Sequence, residues 1–115
     1  MKRVLVTGAT GQIGSELTIA LREKYGKDNV IAAGHKRKPS EMLASGPFEY
    51  VDTADRESIE KVAKEYDIDT IYHLAAVLSA VGEEKPNLAW RVNMEGLYNV
   101  LEVAREHEMA QVFWP

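Results

Sequence analysis

The chain has no cysteine, which excludes disulfides and thiolate chemistry and suits a reducing compartment. Long apolar runs are also missing. The longest is Leu74-Ala75-Ala76-Val77-Leu78, far short of the roughly 18 residues a membrane helix needs. The opening Met1-Lys2-Arg3-Val4-Leu5-Val6 has too little apolar length for a secretory signal. Positive charge is not in excess. Lys and Arg number 14 against 18 Asp and Glu, a net charge of −4, which gives no support to general nucleic-acid binding. His35, His73 and His107 stand in separate segments and share no metal-ligand spacing. The expectation is a soluble cytoplasmic protein with no membrane partner, no nucleic-acid partner and no metal. What the chain does have is 115 residues, 45% of them hydrophobic and 28% charged, enough for one domain with its own core.

Strand and helix signals alternate. Val4-Leu5-Val6 reads as a buried strand ended by Gly8. Ile13, Leu17, Ala20 and Leu21 recur at helical spacing, giving a helix from about Gly11 to Tyr25 that Gly26 ends. Val30 to Ala33 is a second strand and Phe48 to Val51 a third, with a short Ser40-capped turn between them. Asp55 suits the N-cap of a helix whose inner side is Ile59, Val62, Ala63 and Tyr66. Thr70 to Leu74 is strand four. Pro86 opens a long helix to about His107. Its main apolar stripe reads as Trp90, Met94, Leu97, Leu101 and Ala104, with Val92, Val100 and Val103 as a second apolar surface. Gln111 to Trp114 is strand five. Such alternation implies an α/β fold, a doubly wound parallel sheet in the order 3-2-1-4-5. The crevice where that order reverses falls at Thr7-Gly8 and Leu74-Ala75.

Thr7-Gly8-Ala9-Thr10-Gly11-Gln12-Ile13-Gly14 carries most of the functional information. Glycines at intervals of three, between a strand and a helix, each have a physical reason. Gly8 turns the chain, Gly11 admits a phosphate to the backbone, and Gly14 lets the helix pack close to the sheet. The helix N-terminus then offers N–H groups and a positive dipole end to a pyrophosphate. The end of strand two decides between NAD and NADP, because a carboxylate there accepts from the adenosine ribose. Gly34 stands at that point, followed by His35-Lys36-Arg37-Lys38, so no carboxylate is available and a 2′-phosphate would be welcome. The basic stretch also reads as a solvated loop. Asp52, beside Thr53, could accept from adenine or assist helix capping. His73 reads as a structural hydrogen-bonder.

With these residues assembled, the chain resembles the N-terminal part of an extended short-chain dehydrogenase/reductase. The matching pieces are Thr7-Gly8-x-x-Gly11-x-x-Gly14, Asp52, His73-Leu74-Ala75-Ala76 and Asn93. Within that superfamily the resemblance is strongest to the short-chain type of L-threonine 3-dehydrogenase, through Leu78-Ser79-Ala80, Trp90-x-x-Asn93-Met94 and Val112-Phe113-Trp114-Pro115. The resemblance implies that Gly8, Gly11, Gln12, Ile13 and Gly14 hold the pyrophosphate and that Asp52 and Thr53 border adenine. It implies that Leu74, Ala75 and Ala76 line the cofactor, that Leu78 and Ser79 lie near nicotinamide and substrate, and that Asn93 supports the active site. The family usually has Asp where Gly34 stands, so NAD is the family habit while Gly34, His35, Lys36 and Arg37 lean toward NADP.

The implied activity is hydride transfer from the L-threonine β-hydroxyl carbon to nicotinamide. The alternatives are a nucleotide-sugar epimerase or dehydratase, which recycles its hydride, and a stand-alone binding module. The five tyrosines are followed four residues on by Asn29, Ala54, Thr70, Ala76 and Glu102, so the family's Tyr-x-x-x-Lys pair is not within these residues. Residues 1–115 are therefore expected to form one dinucleotide-binding domain that binds cofactor without turnover. Self-association is expected through helix 86–108 or the open edge of strand five.

Overall fold

The computed structural model describes residues 2–75 and 86–115. Ala76, Leu78 and Ser79 lie outside the described residues. The elements are β1 (Val4–Thr7), α1 (Gln12–Tyr25), a 3-10 turn (Lys27–Asn29), β2 (Val30–Gly34), α2 (Glu41–Ala44), β3 (Phe48–Tyr50), α3 (Arg56–Glu65), β4 (Thr70–His73), α4 (Pro86–Glu106) and β5 (Gln111–Phe113). All strand pairs are parallel and the order is β3-β2-β1-β4-β5, as expected. Thr7 is in register with Ala33 on one side and His73 on the other, so three strands end at one level.

The central strands are apolar on both faces because helices cover both. Leu5, Ile31 and Ile71 pack with Ile59, Val62, Val100 and Val103 on the α3–α4 side. Val4, Val6, Val30 and Ala32 pack with Leu21 and Leu43 on the α1–α2 side. Asp55 caps α3 by accepting from Glu57 N at 3.1 Å, and Ser40 caps α2 by accepting from Leu43 N at 3.3 Å.

Two helices face differently from their apolar spacing. In α1 the buried positions are Gly14, Thr18, Leu21 and Arg22, whereas Ile13 is 74% exposed and Ala20 is also exposed. The glycine loop sets this rotation. A Cβ on Gly14 would lie 2.1 Å from Gly8 O, so Gly14 is the point of closest approach, and Thr18 and Leu21 follow it at helical spacing. In α4, Leu97 and Ala104 are buried, but Trp90, Met94 and Leu101 of the expected stripe are exposed. The core face runs through Ala89, Gly96, Val100 and Val103. Gly96 fixes it, since a Cβ there would stand 2.9 Å from Thr53 Oγ1.

Candidate cofactor-binding site

β1 ends in a turn that only glycine fits well. Gly8 has φ +68, and a Cβ on it would lie 2.7 Å from both Ala75 N and Leu74 C. The loop is thus pressed against the end of β4. Gly11 differs: its absent Cβ would meet only Gly8 O, at 3.5 Å, leaving the backbone approachable. Gly11 also caps α1 without any side-chain hydrogen bond, and the first turn of α1 holds no acidic residue. The positive end of this helix is therefore not neutralised by a side chain of its own first turn.

The two halves of the crevice are tied together by one hydroxyl. Thr7 Oγ1 accepts from Leu74 N at 3.0 Å and Ala75 N at 3.2 Å, and lies 2.8 Å from His73 Nδ1. With both acceptor positions used, the Thr7 hydroxyl proton goes to His73 Nδ1. The imidazole must then be neutral, with its hydrogen on Nε2. Burial acts in the same direction, pushing the His73 pKa below its ordinary value.

Across the crevice, Asp52 shapes the turn before α3. Its Oδ1 accepts from Ala54 N at 3.0 Å, and its Oδ2 lies 3.7 Å from His35 Nε2. The adjoining Thr53 is held on α4 by Asn99, whose Nδ2 donates to Thr53 O at 2.9 Å. Arg37 Nη1 reaches back to Thr10 O at 3.4 Å. These elements enclose a cleft of about 440 Å³.

The cleft brings together Gly8, Gly11, His35, Lys36, Arg37, Asp52, Thr53, Leu74, Ala75 and Asn93 from the residues expected at the site. Gln12, Ile13, Gly14 and Gly34 are not among its lining. Gln12 and Ile13 point to solvent at the helix tip, while Gly14 and Gly34 are buried and permit close packing, Gly14 against Gly8 O and Gly34 against Thr10 and Phe48. Thr10, Val51 and Val92 also line the cleft, and Asn99 and Gly96 steady its Thr53 wall. Thr10 could have been found from its place inside the glycine loop. Asn99 and Gly96 carry no local signal, because their partner is 46 and 43 positions away along the chain.

A parallel sheet with a glycine-lined cleft at its topological switch point defines a dinucleotide-binding fold. The signature of the NAD dependent epimerase/dehydratase family matches residues 4–114, and the chain belongs to that family. It is 46% identical over 110 residues to an epimerase/dehydratase of Staphylococcus epidermidis, covering 95% of this chain and 35% of that protein. Among solved structures, an L-threonine dehydrogenase of Clostridium difficile superposes with a TM-score of 0.88 at 52% identity, covering 96% of this chain and 35% of the other. The holo form of a GalE-like L-threonine dehydrogenase from Cupriavidus necator gives 0.90 at 42%, over 98% and 36%. A Thermus thermophilus UDP-glucose 4-epimerase in complex with NAD gives 0.78 at 31%, over 96% and 36%. The chain thus spans about a third of the length of these relatives. Among the described residues, no helix is long and apolar enough to cross a membrane.

Proposed function

We propose that these residues form the NAD(P)-binding portion of an oxidoreductase of the L-threonine 3-dehydrogenase type. The observation that carries the reading is the glycine loop beside the tip of α1, whose first turn holds no acidic residue, in a chain similar to L-threonine dehydrogenases over nearly its whole length. The residues fit the group: Gly11 leaves room for a phosphate, and a 440 Å³ cleft lies beside it. Nicotinamide, when bound, supplies the hydride acceptor. The chain's own part is to bind and orient. The N–H groups at the start of α1 hold the pyrophosphate. Asp52 and Thr53 border the adenosine end. Leu74 and Ala75 lie along the cofactor, and Asn93 supports the active site. The cofactor is NAD or NADP.

Calorimetry of the chain with NAD and NADP tests the reading. Saturable binding without threonine oxidation is the expected result, and no binding of either overturns it. For the parent enzyme, assays of L-threonine oxidation and of UDP-glucose 4-epimerisation separate the two activities. Epimerisation alone would favour the second reading, a nucleotide-sugar epimerase, which the UDP-glucose 4-epimerase likeness supports. Self-association belongs to the same proposal. Trp90, Met94, Tyr98 and Leu101 stand exposed along α4, and Phe113 is exposed on the last strand of the sheet. A concentration-independent monomer mass by light scattering would refute it.

A further inference from the structure

We propose that the cleft is built for a 2′-phosphorylated adenosine, with Lys36 and Arg37 as the phosphate's partners and Gly34 as the residue that keeps a carboxylate from facing it. The inference rests on the dinucleotide reading above and specifies its adenosine end. Position 34 closes β2 beside the glycine loop, where a carboxylate would accept from the ribose hydroxyls and repel a phosphate. Here the position is occupied by glycine, and the packing around it is tight. A Cβ would lie 2.8 Å from Thr10 Cγ2 and 3.0 Å from Phe48 Cζ. A larger side chain therefore has to displace Thr10, a residue of the cleft wall.

The loop after Gly34 turns back so that His35, Lys36 and Arg37 all line the cleft. Arg37 is fastened beside the glycine loop by its 3.4 Å bond to Thr10 O. That bond uses one of the five N–H donors of the guanidinium and leaves the planar fork available. Among the described residues, no carboxylate pairs with Lys36 or Arg37. The cleft's one acidic lining residue, Asp52, has Oδ1 committed to Ala54 N and Oδ2 toward His35. The chain as a whole carries −4, yet two cations and one carboxylate line this cleft. The local excess of positive charge favours a doubly charged phosphate over a neutral ribose hydroxyl.

The test is titration calorimetry with four probes: 2′,5′-ADP, 5′-ADP, NADP and NAD. The expected result is a preference of about tenfold or more for the 2′-phosphorylated member of each pair, falling with added salt. The double variant Lys36→Ala/Arg37→Ala, whose substituted side chains are solvent-exposed and whose fold circular dichroism verifies, should bring both ratios close to one. Equal or tighter binding of NAD by the unaltered chain overturns this inference and leaves the dinucleotide reading standing. A preference that survives the double variant also overturns it. Failure of all four probes to bind overturns the dinucleotide reading itself.

Discussion

Gly11 and Gly14 are three residues apart and alike in sequence, yet they should respond oppositely to substitution. A Cβ on Gly11 meets only Gly8 O, at an ordinary contact distance of 3.5 Å, so Gly11→Val should be within about 1 kcal/mol of the parent in stability while losing nucleotide affinity by steric exclusion. A Cβ on Gly14 meets Gly8 O, so Gly14→Ala should lower the melting temperature before any ligand is added. Thermal denaturation paired with calorimetry distinguishes the two. His73 gives a second prediction at this scale. Its folded pKa lies below the unfolded 6.5, so the unfolded chain takes up the proton first. The stability it contributes is complete above about pH 6.5 and is lost as pH falls from there toward the folded value. His73→Asn, which keeps an acceptor for the Thr7 hydroxyl, should flatten that part of the melting-temperature profile. An identical slope in both proteins would refute the assignment. The glycines were legible because their spacing is local and each has a steric reason. The Thr7–His73 link was not, because only strand register brings positions 66 apart together.

Among the elements, helix starts were easier to read than helix rotations. Asp55 and Ser40 stand where capping chemistry predicts, and both accept the expected backbone N–H. The inward faces of α1 and α4 went against apolar spacing because backbone contact at Gly14 and Gly96 overrides side-chain hydrophobicity. Arg22 shows the same effect. It sits in the buried face of α1, and its guanidinium donates to Val30 O at 3.2 Å, Leu43 O at 2.9 Å and Pro47 O at 2.7 Å. Burial lowers its pKa, while Asp28 opposes the shift. The side chain thus joins α1, β2 and the end of α2 through carbonyls that have left water. Leu43 O and Pro47 O also accept from Gly46 N and Ala32 N, so Arg22→Met should remove a second donor from each and cost about 1–3 kcal/mol, read by urea denaturation. A loss under about 0.5 kcal/mol would show that water replaces the guanidinium without penalty.

For the whole molecule, fold class and strand order followed from alternation alone, since parallel strands need helical crossovers and those fix a doubly wound sheet. What alternation does not give is which surfaces the finished sheet leaves uncovered. Trp90 and Trp114, the chain's two tryptophans, are 68% and 61% exposed, one on α4 and the other just past β5. Neither indole is in the core. Intrinsic emission from the native monomer, at concentrations too low for self-association, should consequently be red-shifted, close to that of the denatured chain, and a poor gauge of unfolding. The same placement turns both indoles into reporters of company. Anything that covers α4 or the end of β5 should shift their light to the blue and shield them from iodide, while nucleotide alone leaves the colour unchanged.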